Sequence, residues 1–282
     1  MTVYPLNFDL GPFEITGYGI MMMVGFIVGG WLIGLELKRR GLREDYAGDI
    51  VVAAVVGGIL GAKLWYVALT RDPGALFSRG GLVWYGGFLG GAAAVLLNGR
   101  RLRVPTRWTM HVCAPALAAA YALGRVGCFL VQDDYGRPTD LPWAMKFPQG
   151  LPPSTAANMT ELFGIPVPPG TDPSTVLAVH PTQLYEAAVM LVVFGILWKL
   201  RKAERPIGWL FGVYLMFAGL ERFLVEFLRA KDDRLLGPFT IAQLTSVLLL
   251  ALGVALATQW RRGPSPEPGA YLTGAGGPGR KK

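Results

Sequence analysis

The chain has 282 residues, of which 52% are hydrophobic and 16% charged, with a formal net charge of +8. Soluble domains carry about 25% charged residues, so this composition excludes an ordinary soluble domain and points to lipid. Two cysteines, Cys113 and Cys128, exclude a disulfide framework, and with His111 they supply too few ligands for a metal site.

A spanning helix needs about 20 mostly apolar residues. In chain order the sequence predicts seven, at 15–37, 50–69, 82–97, 108–131, 181–200, 207–227 and 239–260. The first continues to full spanning length, and no lysine or arginine precedes it, which is not the pattern of a cleavable signal peptide. Positive charge alternates between the connections. Seventeen Lys and Arg fall in the loops around 38–48, 98–107 and 199–206 and in the C-terminal tail. Seven fall on the other side: Arg71, Arg79, Arg137, Lys146, Arg229, Lys231 and Arg234. Lysine and arginine mark the cytoplasmic side, so the basic balance reads as topology and not as a nucleic-acid footprint.

The expected architecture is an all-α polytopic membrane protein of about seven transmembrane helices, N-terminus outside and C-terminus cytoplasmic. Residues 1–262 form the transmembrane domain, and 263–282, rich in Pro and Gly, a disordered cytoplasmic tail. Between spans four and five, residues 132–179 form a small external head segment. Loops of that length are often lids or binding loops. No internal repeat is evident.

Polar residues inside the spans are the functional candidates. Tyr18 opens the first span and fits an interfacial anchor as well as a site. Lys63 follows the glycine-rich face 57–62 and could equally snorkel. Gly87 and Gly91 have helix-packing spacing in the third span. Arg125 lies between Gly124 and Gly127 and cannot deprotonate to escape burial, so it either meets an anion or snorkels to the nearby outer interface. Cys128 shares its face and reads as a buried structural thiol. Pro181 suits a first helical position, and Gln183 and Glu186 share a face just beyond it. Arg222 and Glu226, four apart, could pair with each other or serve a head group.

In order and spacing these residues resemble the prolipoprotein diacylglyceryl transferase family of bacterial inner membranes. The match includes Tyr18-Gly19, Gly61-Ala62-Lys63, Gly86-Gly87, Gly124-Arg125-Val126-Gly127 and Tyr135-Gly136-Arg137. It continues through the run from His180 to Glu186, Arg222-Phe-x-x-Glu226-Phe-x-Arg229 and Gln243, reaching about Trp260. The resemblance implies transfer of a diacylglyceryl group from phosphatidylglycerol to the lipobox cysteine of a preprolipoprotein. A thioether forms and glycerol 1-phosphate leaves, with no metal or organic cofactor.

By the resemblance, Arg125 and Arg222 are the essential arginines, Asp133 stands where the family has glutamate, Gly136 is its motif glycine and Glu226 its sixth-span glutamate. The implied catalytic set is Arg125, Arg222, Glu226, Asp133 and Tyr85. The implied phosphatidylglycerol-binding set is Arg125, Arg222, Tyr18, Gly136, Cys128, Lys63, Gln183 and Glu186. Partners are phosphatidylglycerol, signal peptides of lipobox precursors and membrane lipid, without nucleic acid. Three positions depart from the pattern: Tyr85 replaces histidine, Cys128 replaces asparagine and Ala218 replaces tyrosine. The alternative is therefore a catalytically altered or inactive paralogue that binds or translocates phospholipid, or a scaffold for lipoprotein precursors.

Overall fold

The computed structural model describes residues 1–11, 13–77, 83–231, 234–236 and 239–275. A hairpin of β1 (Asn7–Leu10) and β2 (Phe13–Thr16) leads into α1 (Gly17–Arg39). Thr16 is the N-cap, its hydroxyl accepting from Gly19 N at 3.1 Å. Then come α2 (Tyr46–Thr70), a 3-10 turn at Pro73–Phe77, α3 (Trp84–Arg101) and α4 (Thr106–Val131). The expected start of the third span, Leu82, lies outside the described residues.

β3 (Met145–Lys146), α5 (Ala156–Glu161) and β4 (Ala178–Val179) follow. The chain continues as α6 (Thr182–Leu200), α7 (Trp209–Val225), β5 (Arg234–Leu236), β6 (Phe239–Thr240), α8 (Ile241–Arg262) and α9 (Gly269–Thr273). The seven long helices match the seven expected apolar stretches to within a few residues. Five of them (α1, α2, α4, α6 and α8) are long and apolar enough to cross a membrane. The 18-residue α3 carries Arg100 and Arg101, and α7 has 17 residues.

α4 is the spine, packing on α1, α6 and α7. Its inward face is largely alanine (Ala114, Ala118, Ala119, Ala122), which lets the neighbours approach closely. α2 pairs with α3 and α7 with α8. A Cβ added to Gly61 would meet Gly86 O, and one on Gly90 would meet Gly57 O, so the α2–α3 seam admits only glycine there. The seam is centred on Gly86 and Gly90, one residue before the Gly87 and Gly91 read from spacing. Those two also face α2, but at ordinary or slightly tight distances.

The segment 132–179 is not an unstructured loop. Tyr135, Phe147, Met159, Ile165 and Val179 form a core of their own with Ala230. The N-terminus contributes, since Lys146 N donates to Met1 O and Val3 N to Lys146 O. Apolar residues spread irregularly from Tyr135 to Ala230 made this core, a spacing in which no helical or strand period is visible.

The tail also departs from expectation over its described part. Ser265 Oγ accepts from Ile207 N, Trp108 Nε1 donates to Pro266 O and Arg107 reaches Pro264 O. α9 then seats Leu272, 1% exposed, in the cluster of Leu37, Tyr46 and Trp108, while Tyr271 OH bonds Asp49. Residues 276–282 lie outside the described residues. Prolines and glycines here shape a strap instead of a coil. Leu272→Ala is expected to cost about 2–3 kcal/mol, visible as a lower midpoint of thermal unfolding in detergent.

Candidate active site

The polar residues meet where three chain segments converge: the end of α4, the start of α6, and the end of α7 with 226–229. α4 stops because Gln132 takes a left-handed conformation (φ 63°), and Asp134 takes another (φ 58°). Left-handed backbone is uncommon for residues other than glycine, though Asp tolerates it. Together the two turns return the Asp134 carboxylate to the helix it has just left. Pro181, expected as the first helical residue, is instead the N-cap of α6, and Thr182 Oγ1 donates to Asp134 O at 2.8 Å.

Gly136 locks this junction. Its N donates to His180 O, and the next residue's N donates to Leu228 O, both at 2.8 Å. A Cβ on Gly136 would sit 2.5 Å from Leu228 O and 2.7 Å from His180 Cβ, so no other residue fits without moving backbone.

Within the junction lies an alternating ionic network. Arg125 Nη2 donates to Glu186 Oε1 at 2.7 Å and its Nη1 to Asp134 Oδ2 at 3.0 Å. Arg229 Nη2 donates to the other Asp134 oxygen, and its Nη1 lies 3.5 Å from Glu186 Oε1. Tyr121 OH donates to Glu186 Oε2 at 2.7 Å. Arg222 Nη2 approaches Glu226 Oε2 at 2.7 Å, and Arg229 Nε lies 3.8 Å from the same oxygen. Buried charges survive only when paired and hydrogen-bonded in this way. The network still holds spare capacity: among the described residues Arg222 Nη1, Arg125 Nε and Glu226 Oε1 are buried without a hydrogen-bond partner.

Burial pushes the Asp134 carboxyl up, but Arg229 and Arg125 outweigh it and hold the group at about 2. Burial, and then the adjacent Asp134 charge, push Asp133 up. Because Asp134 is lower folded than the about 3.9 of a free aspartate, its contribution to stability is present above about pH 4 and is lost as pH falls through about 2. Asp133 contributes with the opposite sign. Asp134→Asn is therefore expected to flatten the acid limb of thermal unfolding between about pH 4 and pH 2. Its side chain is 43% exposed, so the effect is screened and modest.

Cys128, Asp133 and Asp134 bring their ligand atoms within 4.8 Å of one another. Both Asp134 oxygens are already taken by guanidinium groups, however, and Arg125 Nη1 also donates to Cys128 Sγ at 3.3 Å. A divalent cation there would face two arginines, so the donor set suits hydrogen bonding and anions and not a metal.

Of the residues singled out from sequence, Arg125, Arg222, Glu226, Glu186 and Cys128 fall in the network, and Arg222 does pair with Glu226. Gln183 is buried, its Nε2 donating to Asp133 O while its Oε1 has no partner. Tyr18 packs on Gly127, where an added Cβ would lie 3.2 Å from Tyr18 Cα. Tyr85 is 56% exposed on α3, edge-on to Trp84, and joins none of these bonds. Lys63 sits partly buried on α2, the helix seamed to α3.

Four residues in or beside the network escaped sequence reading: Asp134, Arg229, Tyr121 and buried Glu221. By sequence Arg229 reads as a loop charge, although it stands three residues after Glu226. Tyr121 lies one turn before Arg125, a spacing that places both on one face.

A sequence model described as prolipoprotein diacylglyceryl transferase matches residues 5–259. A Geobacter sulfurreducens protein named phosphatidylglycerol–prolipoprotein diacylglyceryl transferase is 34% identical over 267 residues, covering 90% of this chain and 94% of the relative. The proteins of the same name from Nostoc sp. (32%; 96% of this chain, 95% of the relative) and Clostridium tetani (31%; 89% and 95%) are similar over comparable lengths. With the arginine–carboxylate junction in the matched region, the chain belongs to the prolipoprotein diacylglyceryl transferase family.

Proposed function

We propose that this protein is an enzyme that transfers the diacylglyceryl group of phosphatidylglycerol to the lipobox cysteine thiol of preprolipoproteins. The observation that carries the proposal is the network of three arginines and three carboxylates, all but Asp134 largely buried, at one end of an apolar bundle, in a chain matched to the family over nearly its whole length. Relatives bearing the name of this activity support it.

The chemistry is displacement at a saturated carbon. The thiol sulfur bonds to the glycerol carbon that carries the phosphate ester, and the C–O bond of that carbon breaks. The thiol proton passes to a base, and glycerol 1-phosphate leaves with the bonding electrons. Such a reaction needs its phosphate held and the growing charge on the leaving oxygen met by fixed donors.

Arg222 supplies the direct phosphate contact, since its Nη1 has no partner and its side chain is 24% exposed. Arg125 completes the cationic pair and, through Asp134 and Glu186, keeps Arg229 in register with it. Asp133, whose carboxyl burial and the adjacent Asp134 charge push up, takes the thiol proton. Glu226 orients Arg222. Tyr18, Gln183, Cys128 and Gly136 form the wall against which the head group rests.

All seven long helices span the membrane in this reading, the arginine network lies on the outer side of the bacterial inner membrane, and the basic loops lie in the cytoplasm. Precursor signal peptides reach the site within the bilayer. The test is rescue of a strain depleted of its own transferase, together with transfer of radiolabelled diacylglyceryl from phosphatidylglycerol onto a lipobox peptide by the purified protein. Thioether product in both is expected. No product from a well-expressed, inserted protein would return the reading to a phospholipid-binding paralogue.

A further inference from the structure

A second charged cluster lies at the opposite end of the bundle. Glu36, near the end of α1, is buried and accepts from Arg39 Nε and Nη2 at 2.9 and 2.7 Å and from Arg40 Nε at 2.6 Å. Arg201, which follows α6, places its Nε 3.6 Å from the same carboxylate. From Gln183 to Arg201 the chain climbs about 27 Å of helix, close to the hydrocarbon thickness of a bilayer, so the cluster and the active site sit at opposite membrane faces.

The cluster is rich in donors and poor in acceptors. Among the described residues three guanidinium groups share one carboxylate, and the Arg201 carbonyl is a further acceptor, taking Arg39 Nη2 at 3.0 Å. Arg201 is only 9% exposed, yet its Nε and Nη1 have no hydrogen-bond partner. His111 adds to the imbalance: Arg40 Nη2 meets its Nε2 at 2.8 Å, while Gly208 N donates to its Nδ1 at 3.2 Å. A neutral imidazole accepts at one nitrogen only, so one donor faces another. Buried donors are almost always satisfied in native proteins, and an oxyanion with several acceptor oxygens would satisfy these.

Arg39 and Arg40 remain partly exposed and form the mouth. Arg201 lies 3.6 Å over the Trp198 ring and Arg40 5.5 Å over Trp108. Tryptophans at this level are characteristic of a membrane interface. We infer that Arg39, Arg40 and Arg201 bind the phosphate of an anionic phospholipid in the leaflet facing away from the active site. Glu36 serves as the internal counter-charge that holds the arginines ready and competes with the lipid.

The full-length protein in nanodiscs of phosphatidylcholine containing phosphatidylserine provides the test, with retained lipid read by native mass spectrometry after release into detergent. The wild type is expected to retain phosphatidylserine in preference to phosphatidylcholine. Arg39→Gln, at the exposed mouth, and Arg201→Gln should each lower that retention by about tenfold, the scale of one lost charge-assisted hydrogen bond. Glu36→Gln should retain at least as much as the wild type, because the competing carboxylate is gone. Arg125→Gln removes the active-site share, and Arg39→Gln should still lower what remains by about tenfold in that background, which separates this site from the active site.

Equal retention by the wild type and both arginine variants would overturn the assignment. So would loss of retention in Glu36→Gln alongside the arginine variants, the result expected of a purely structural clamp. Displacement of the lipid by millimolar inorganic phosphate would reassign the site to a free anion and overturn the lipid.

Discussion

Arg125→Ala is expected to reduce diacylglyceryl transfer about a thousandfold, the upper range for removing one preorganised donor from a reaction centre. The physical basis is double. The substitution removes a guanidinium that touches Asp134, Glu186 and Cys128 at once, and it leaves Glu186 paired only with Tyr121 and a distant Arg229. Breaking a buried ion pair from one side costs about 3–5 kcal/mol, so the alanine variant will also unfold at lower temperature. Arg125→Lys separates the two effects. Lysine keeps the charge but lacks the planar fork that reaches two carboxylates in fixed directions. It should recover most of the thermal midpoint while transfer of radiolabel stays about a hundredfold down. Full activity in Arg125→Lys would mean that only the charge matters and that the geometry argued for the network is wrong.

Gly136→Ala should be nearly as damaging although it removes no functional group. The added carbon collides with Leu228 O and the His180 and Thr182 side chains, and backbone cannot step aside as a flexible side chain would. Overpacking costs about 1–3 kcal/mol. The three strands of chain pinned here carry Asp134, Glu186 and Arg229, so a shift of about 1 Å is expected to lower the transfer rate about a hundredfold. Gly195→Ala is the control. Its Cβ would meet nothing within 4 Å, and it lies within α6, so it should stay within about 0.5 kcal/mol of the wild type and fully active. Equal tolerance at both positions, measured by thermal unfolding and radiolabel transfer, would remove Gly136 from the account.

The departures at Tyr85, Cys128 and Ala218 take on different weights in three dimensions. Cys128 lies inside the network as an acceptor for Arg125, a role its small size permits. Tyr85 stands on the exposed side of α3, outside the hydrogen-bonded set. Tyr85 makes no bond to the Arg125–Asp134–Glu186–Arg229 arrangement.

The long helices were legible because lipid offers the backbone no hydrogen-bond partners, so every membrane segment must be a self-satisfied run of apolar residues. Arg125 and Arg222 were legible for the converse reason: a charge in such a run is too costly to be incidental. The head segment and the strap at 264–275 were not, because their apolar contacts join distant residues and leave no period to detect.

From residue order alone came the apolar bundle, the asymmetry of its loops and the places where polar groups interrupt it. All of these depend on local composition. Tertiary structure decided the partners. Arg125 meets Glu186 across 61 positions and Asp134 meets Arg229 across 95, and both pairings depend on two left-handed residues and one glycine that bring three segments into a single junction. Asp134 and Arg229 entered the site for that reason. A buried charge selects its partner by what folding brings within about 3 Å in a low-dielectric interior, and sequence separation carries no record of that distance.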